Sequence, residues 1–207
     1  MNWYKRLFVF ADEDADLSPD HGQSPSYMSL DQIGEDNAFN VFQKSYEDAT
    51  GQSWDKDKFR SRAGDWRFYG DENGYVAARE QRSGMLKLVG MAGNPRSILR
   101  GLQDLLAEGK PTWGMVSKDI ADMAKRLGFK SPPGILAKMM IGKIPSYVFG
   151  NAEIKNVGMD GGVTFDYPDI GEATKYYVAN DAYYQILLSD DRVPGWGRPI
   201  LRKILGQ

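Results

Sequence analysis

Apolar residues along the chain follow two periods, and the points where one gives way to the other mark the elements. Lys5-Arg-Leu-Phe-Val-Phe10 is a short strand candidate. Phe39, Phe42 and Tyr46 stand at i, i+3 and i+7, which predicts a helix over 36–50, ended by Gly51. Trp54 and Phe59 mark a second, shorter helix over 54–62. Residues 65–69 and 75–79 read as strands around Asn73-Gly74, because Asn-Gly supplies the positive φ of a tight hairpin turn. A third strand, Met85–Val89, follows the turn Gln-Arg-Ser-Gly84. The loop Gly90–Asn94 then feeds a helix opened by Asn94-Pro95, whose Ile98, Leu99, Leu102, Leu105 and Leu106 share one face. Pro111–Val116 is a further strand, Ser117 starts the next helix, and Gly128 suits its C-cap. Beyond Ser131-Pro-Pro-Gly134 come a short apolar helix over 135–141 and a hairpin over 152–167 around Asp160-Gly161-Gly162. Glu172–Leu188 reads as a last helix carrying the stripe Tyr176, Tyr177, Tyr183, Tyr184 and Leu187.

Composition narrows the chemistry. The 207 residues contain no cysteine, which excludes disulfides, thiolate metal sites and cysteine nucleophiles. The one histidine, His21, leaves little room for a histidine metal site or a Ser-His-Asp triad. A net charge of −2 gives no reason to expect nucleic acid as a bulk partner. No apolar run approaches a membrane span and no signal peptide is visible, so the expected setting is a reducing, cytoplasm-like compartment.

The charge is unevenly placed. From Leu7 to Gln43 there is no Lys or Arg, while Asp12, Glu13, Asp14, Asp16, Asp20, Asp31, Glu35 and Asp36 all fall there. Ser18-Pro19, Gly22 and Ser24-Pro25 interrupt this stretch, which predicts mostly loop or arm. At the other side, Arg192, Arg198, Arg202 and Lys203 are followed by no acid, and Val193–Pro199 has the composition of neither a regular helix nor a central strand. The plain reading makes both segments solvated ends. The sharper one makes them docking arms anchored by Trp3, Tyr4, Trp196, Ile200 and Leu201, with Arg198 and Arg202 alongside, since such residues are poorly left in water. The expected organisation is an N-terminal strand and acidic arm over 1–35, a core over 36–167, and a helix with a basic tail over 168–207.

The order of elements from Gly74 to Lys125-Arg126-Leu127-Gly128-Phe129 resembles the core of the GNAT superfamily of acyl-CoA-dependent N-acetyltransferases. The resemblance implies an α+β fold, three-layer-like, with a mixed central sheet flanked by helices. It also implies an acetyl-CoA pyrophosphate at the turn after the third strand, held by a segment written Arg/Gln-x-x-Gly-x-Gly/Ala. The best registration here is Arg96-Ser-Ile-Leu99-Arg-Gly101, with leucine where the first glycine should stand. The cofactor-contacting candidates so implied are Val89, Met91, Gly93, Asn94, Arg96, Ser97 and Gly101.

The family's second signature, Asn-x-x-Ala-x-x-Leu-Tyr-x-Lys-x-Gly-Phe, places Ser117 at the asparagine and Ala124 at the tyrosine. That tyrosine is the usual general acid, and alanine cannot donate a proton. The strand Met85–Val89 also lacks the carboxylate that many members use as general base. Asp65, Asp71 and Glu72 read as ordinary turn residues, and Tyr147, Tyr167, Tyr176 and Tyr177 as core sooner than catalyst.

Three function classes stay open. One is a GNAT-like scaffold without efficient catalysis that works by contact with other proteins. The second is an active N-acetyltransferase using acetyl-CoA. The third is an unrelated α+β binding domain. The opening Met-Asn-Trp-Tyr-Lys-Arg6 resembles the start of many phage-encoded proteins, which favours a particle component with phage structural proteins as partners, made in the host cytoplasm. No metal or membrane partner is expected.

Overall fold

The computed structural model describes residues 27–50, 52–141, 153–167, 171–191 and 193–207. The strand expected over 5–10, together with Trp3, Tyr4, His21 and Tyr147, lies outside them. The chain is α+β, and it divides between Lys110 and Pro111 into two compact units.

The unit up to Lys110 contains α1 (Leu30–Ile33), α2 (Glu35–Thr50), α3 (Lys56–Ala63), β1 (Trp66–Asp71), β2 (Gly74–Glu80), β3 (Leu86–Gly93) and α4 (Pro95–Ala107). The three strands form an antiparallel meander, with the two-residue turn Glu72-Asn73 between β1 and β2. Strand alternation gives the sheet two apolar faces. Trp66, Phe68, Tyr75, Ala77 and Ala92 on one face pack against Leu30, Ile33, Ala38 and Phe59 of the first three helices. Phe59 meets Trp66 edge-on at 5.8 Å, and the buried Tyr75 hydroxyl donates to the Ala38 carbonyl at 2.8 Å. On the other face lies α4, with Ile98, Leu102 and Leu105 buried, so this unit has three layers.

Two expectations are corrected in this unit. The stretch Gly90–Gly93, expected as loop, is strand: its backbone pairs with Ala77, Val76, Tyr75 and Gly74 of β2. A bulge at Val89 keeps the pairing going past the glycine, so the backbone groups find sheet partners instead of water. Part of the expected acidic arm is also structured. Met28 bridges Phe68 through hydrogen bonds of 2.8 and 2.9 Å. Ser29 and Gln32 then close a capping box on α1, and Leu30 and Ile33 become core.

The unit from Pro111 contains β4 (Thr112–Val116), α5 (Lys118–Arg126), α6 (Gly134–Ile141), β5 (Glu153–Val157), β6 (Gly162–Tyr167), β7 (Gly171–Ala179), α7 (Asp181–Ser189) and α8 (Gly197–Leu205). Its antiparallel strands lie in the order β4-β7-β6-β5. The helix expected over 172–188 is instead a strand, β7, followed by α7. Thr174, Tyr176, Tyr177 and Val178 suit a pleated surface better than a helix. Asn180 makes the break, because its Oδ1 accepts from the Tyr183 amide at 3.1 Å as N-cap and from the Thr112 amide at 3.0 Å.

The aromatic stripe is thereby split between two elements and meets again in space. Tyr177 stacks on Trp113 at 5.5 Å and donates its hydroxyl to Tyr183 at 2.7 Å. Tyr184 donates to the Lys130 carbonyl at 2.9 Å.

The basic tail is likewise corrected. It forms α8, which starts inside the segment thought unfit for helix. Pro199 occupies the first turn, where an amide has no intrahelical partner to lose. Leu201 is fully buried and α8 packs on α7.

Burial, and next to it the neighbouring hydroxyl of Tyr183, pushes the Tyr177 phenol well above its ordinary value of 10; burial does the same to Tyr184. The folded state therefore keeps protons that the unfolded chain releases above pH 10. Stability should be steady below that pH and fall as pH rises past it. Melting temperatures by circular dichroism from pH 8 to pH 11 would show this fall, and Tyr177→Phe should make it shallower.

Candidate functional site

Within the first unit a cleft of about 720 Å³ opens between α2, the β1–β2 turn and the start of α4. Helix α2 contributes Val41, Lys44, Ser45 and Asp48. The turn contributes Glu72 and Asn73, and the end of β3 leads into Pro95 and Arg96 on the far side. Lys44 and Arg96 face a site that also holds two carboxylates, so its charge is mixed.

Gly93 is where the three walls join. Its φ is +93°, and a Cβ there would lie 2.3 Å from the Asn73 carbonyl oxygen and 2.9 Å from Val41 Cγ1. Only glycine tolerates both the conformation and the crowding. Its amide donates to Ser45 Oγ at 3.0 Å, and the next amide, that of Asn94, donates to the Asn73 carbonyl at 2.8 Å. Asn37 Nδ2 donates to the Glu72 carbonyl at 3.1 Å, so α2 also holds the turn from above.

The start of α4 is engaged by the protein itself. Asn94 is the N-cap and its Oδ1 accepts from the Arg96 amide at 2.8 Å. Pro95 has no amide hydrogen, and the Ile98 amide donates to the Asn94 carbonyl at 3.0 Å. The buried Ser97 donates its hydroxyl to both carboxylate oxygens of Asp71, each at 2.9 Å. Asp71 also accepts from the Asn73 amide at 2.8 Å, so one carboxylate holds the hairpin turn and the first turn of α4 together. A carboxylate is the charge this end of a helix favours.

The residues singled out from the sequence are therefore distributed as follows. Gly93, Asn94 and Arg96 reach the cleft. Val89 is the bulge residue and packs on the helical core. Met91 is half-buried in β3, opposite Val76. Ser97 is bound to Asp71, and Gly101 is buried where a Cβ would come 2.3 Å from the Tyr69 carbonyl oxygen. Leu99 is half-buried on α4. In the second unit, Ser117 is the N-cap of α5 and makes no side-chain capping bond, while Ala124 is completely buried. Trp196 is 47% exposed, Ile200 is half-buried, Leu201 is core, Arg198 lies 3.6 Å from Asp191, and Arg202 is exposed.

Sequence reasoning missed Lys44, Ser45 and Asp48 altogether, and it read Asp71 as a plain turn residue. Asp71 carried one usable signal, an acid two residues before Asn73-Gly74, but its bond to Ser97 spans 26 positions. Ser45 meets Gly93 across 48.

These residues do not fit a pyrophosphate. Pro95 offers no amide hydrogen, the Arg96 amide is taken by Asn94, Asp71 places a negative charge against the same turn, and Leu99 holds the position where the GNAT signature has glycine. Among the described residues no group of three or more His, Asp or Glu side chains is placed to hold a metal ion, and no helix is long and apolar enough to cross a membrane. No family model matches the chain, and neither a curated protein nor a solved structure does.

Two substitutions test this construction. Ser97→Ala removes the hydroxyl between α4 and Asp71 and should cost about 1.5–3 kcal/mol in urea unfolding, as the loss of a charge-assisted bond does. Gly101→Ala should cost about 1–3 kcal/mol of overpacking and displace the helix, because a backbone carbonyl and not a flexible side chain is in the way. A Gly101→Ala chain as stable as the parent would show that α4 does not need this close approach.

Proposed function

We propose that this protein is a GNAT-like scaffold that works through contacts with other proteins and does not transfer acetyl groups efficiently. The observation that carries the reading is the use made of the first turn of α4. Where the family would hold a cofactor anion, this chain holds its own Asp71 through Ser97 and caps the Arg96 amide with Asn94. Ala124, at the place of the family's acid, is packed in the second unit's core and offers no proton. The succession of antiparallel meander, helix, strand and helix over 66–126 supports the family resemblance on which the argument draws. From the resemblance of the opening six residues, the setting is a tailed-phage particle assembled in the host cytoplasm, with structural subunits as partners.

An active acetyltransferase is the second reading. The cleft speaks for it only through its volume and the placing of Lys44 and Arg96 beside Gly93 and Asn94, with Asp48 and Glu72 offsetting that positive charge.

Thermal unfolding with millimolar acetyl-CoA separates the two. A ligand present at a hundred times its Kd stabilises the native state by about 2.7 kcal/mol, several degrees for a chain of this size. The scaffold reading expects no shift and no release of free CoA in the presence of amines. A shift of several degrees that disappears in Arg96→Ala would sink it. Mass spectrometry of purified particles tests the setting, with this chain expected among the particle proteins.

A further inference from the structure

Helix α8 turns Gly197 and Leu201 inward, and its opposite side carries Trp196, Arg198, Pro199, Arg202 and Lys203. Arg198 and Arg202 are one turn apart, and Trp196 and Lys203 two turns apart, so these side chains form one continuous basic and aromatic face. Asp191, 3.6 Å from Arg198, is the single acid paired with this face among the described residues. Arg202 and Lys203 sit in the last turn, where cations favour the helix dipole, and that accounts for part of the pattern. It accounts for neither Arg198, in the first turn, nor the half-exposed Trp196.

We infer that the outer face of α8 receives the acidic segment Asp12–Asp20 of a second copy of this chain. The inference deepens the contact reading above and rests on it. The segment holds Asp12, Glu13, Asp14, Asp16 and Asp20, and no Lys or Arg occurs from Leu7 to Gln43 to compete for them. Opposite charge steers and registers such a contact, while Leu17 against Trp196 supplies its apolar part. Each copy owns one segment and one face, so a reciprocal exchange closes at two.

Size-exclusion chromatography with light scattering on the full chain tests this. At low salt the mass should be twice the 23.2 kDa of one chain, and it should fall to one chain at roughly 0.5 M salt, where surface charges are screened. The variants R202E/K203E and D12K/D14K/D16K, checked as folded by circular dichroism, should each be monomeric, and their equimolar mixture should recover the double mass. Trp196→Ala should weaken association at least tenfold, as loss of an aromatic anchor does. A parent chain that is monomeric at low salt overturns the inference. So does a double mass that persists in either reversed variant, or a mixture that stays monomeric. Failure here with acetyl-CoA still silent leaves the scaffold reading standing, whereas acetyl transfer sinks that reading whatever the mass.

Discussion

Alternate residues of β1 fasten α4 along its length. Arg67, Tyr69 and Asp71 point to the helix side of the sheet, and each meets α4 at a different level. Asp71 binds Ser97 in the first turn, and the Tyr69 backbone admits Gly101 at the middle. The Tyr69 hydroxyl donates to Glu108 Oε1 at 2.6 Å, and Arg67 pairs with Glu108 at 3.2 Å, at the helix end. Between these points Ile98, Leu102 and Leu105 are buried, each removing apolar area worth about 1.5–3 kcal/mol. The polar contacts add less energy but decide where along β1 the helix stops. With the register of α4 set, the positions of the β1–β2 turn and of the end of β3 follow, and with them the walls of the cleft.

The same fastening decides the chemistry of the cleft. A helix start offers partial positive charge and unpaired amides, and a protein can spend these on a ligand or on itself. Here Asn94 takes the Arg96 amide, and Asp71 lies against the same turn through the Ser97 hydroxyl. Gly93 and Gly101, which at a phosphate site would permit close approach of an anion, permit close approach of protein backbone. The hydrogen bonds around this turn serve the packing of α2, the β1–β2 turn and α4.

The second unit is organised by Asn180. Its side-chain oxygen caps α7 and holds the start of β4, so a single amide side chain ends one strand, starts one helix and fixes a second strand. That arrangement brings Trp113, Tyr177 and Tyr183 into one buried group, with the tyrosine hydroxyls satisfying each other in place of water. Helix α8 covers this unit with Leu201 and leaves its cations outside. A residue type thought of as an anchor in sequence, Leu201, is thus consumed by the core, while Trp196 stays half exposed.

Local pattern in the sequence determined the elements whose ends carry their own chemistry. The Asn94-Pro95 helix start, the apolar face of α4 and the hairpin around Asp160-Gly161-Gly162 stand where residue type placed them, whereas the first hairpin turns one residue earlier than Asn73-Gly74, on Glu72-Asn73, with Gly74 already paired in β2. Tertiary structure decided the cases where two local readings compete. Gly90 reads as loop until β2 offers its backbone partners, and Tyr176-Tyr177 reads as a helix stripe until β4 and β6 lie beside it. The cleft was legible only on its α4 side, through Gly93, Asn94 and Arg96. Its α2 wall rests on contacts such as Ser45 to Gly93, made across dozens of positions. No periodicity or spacing records such a contact, because the energy that selects it comes from packing and from hydrogen bonds satisfied only once the chain has folded.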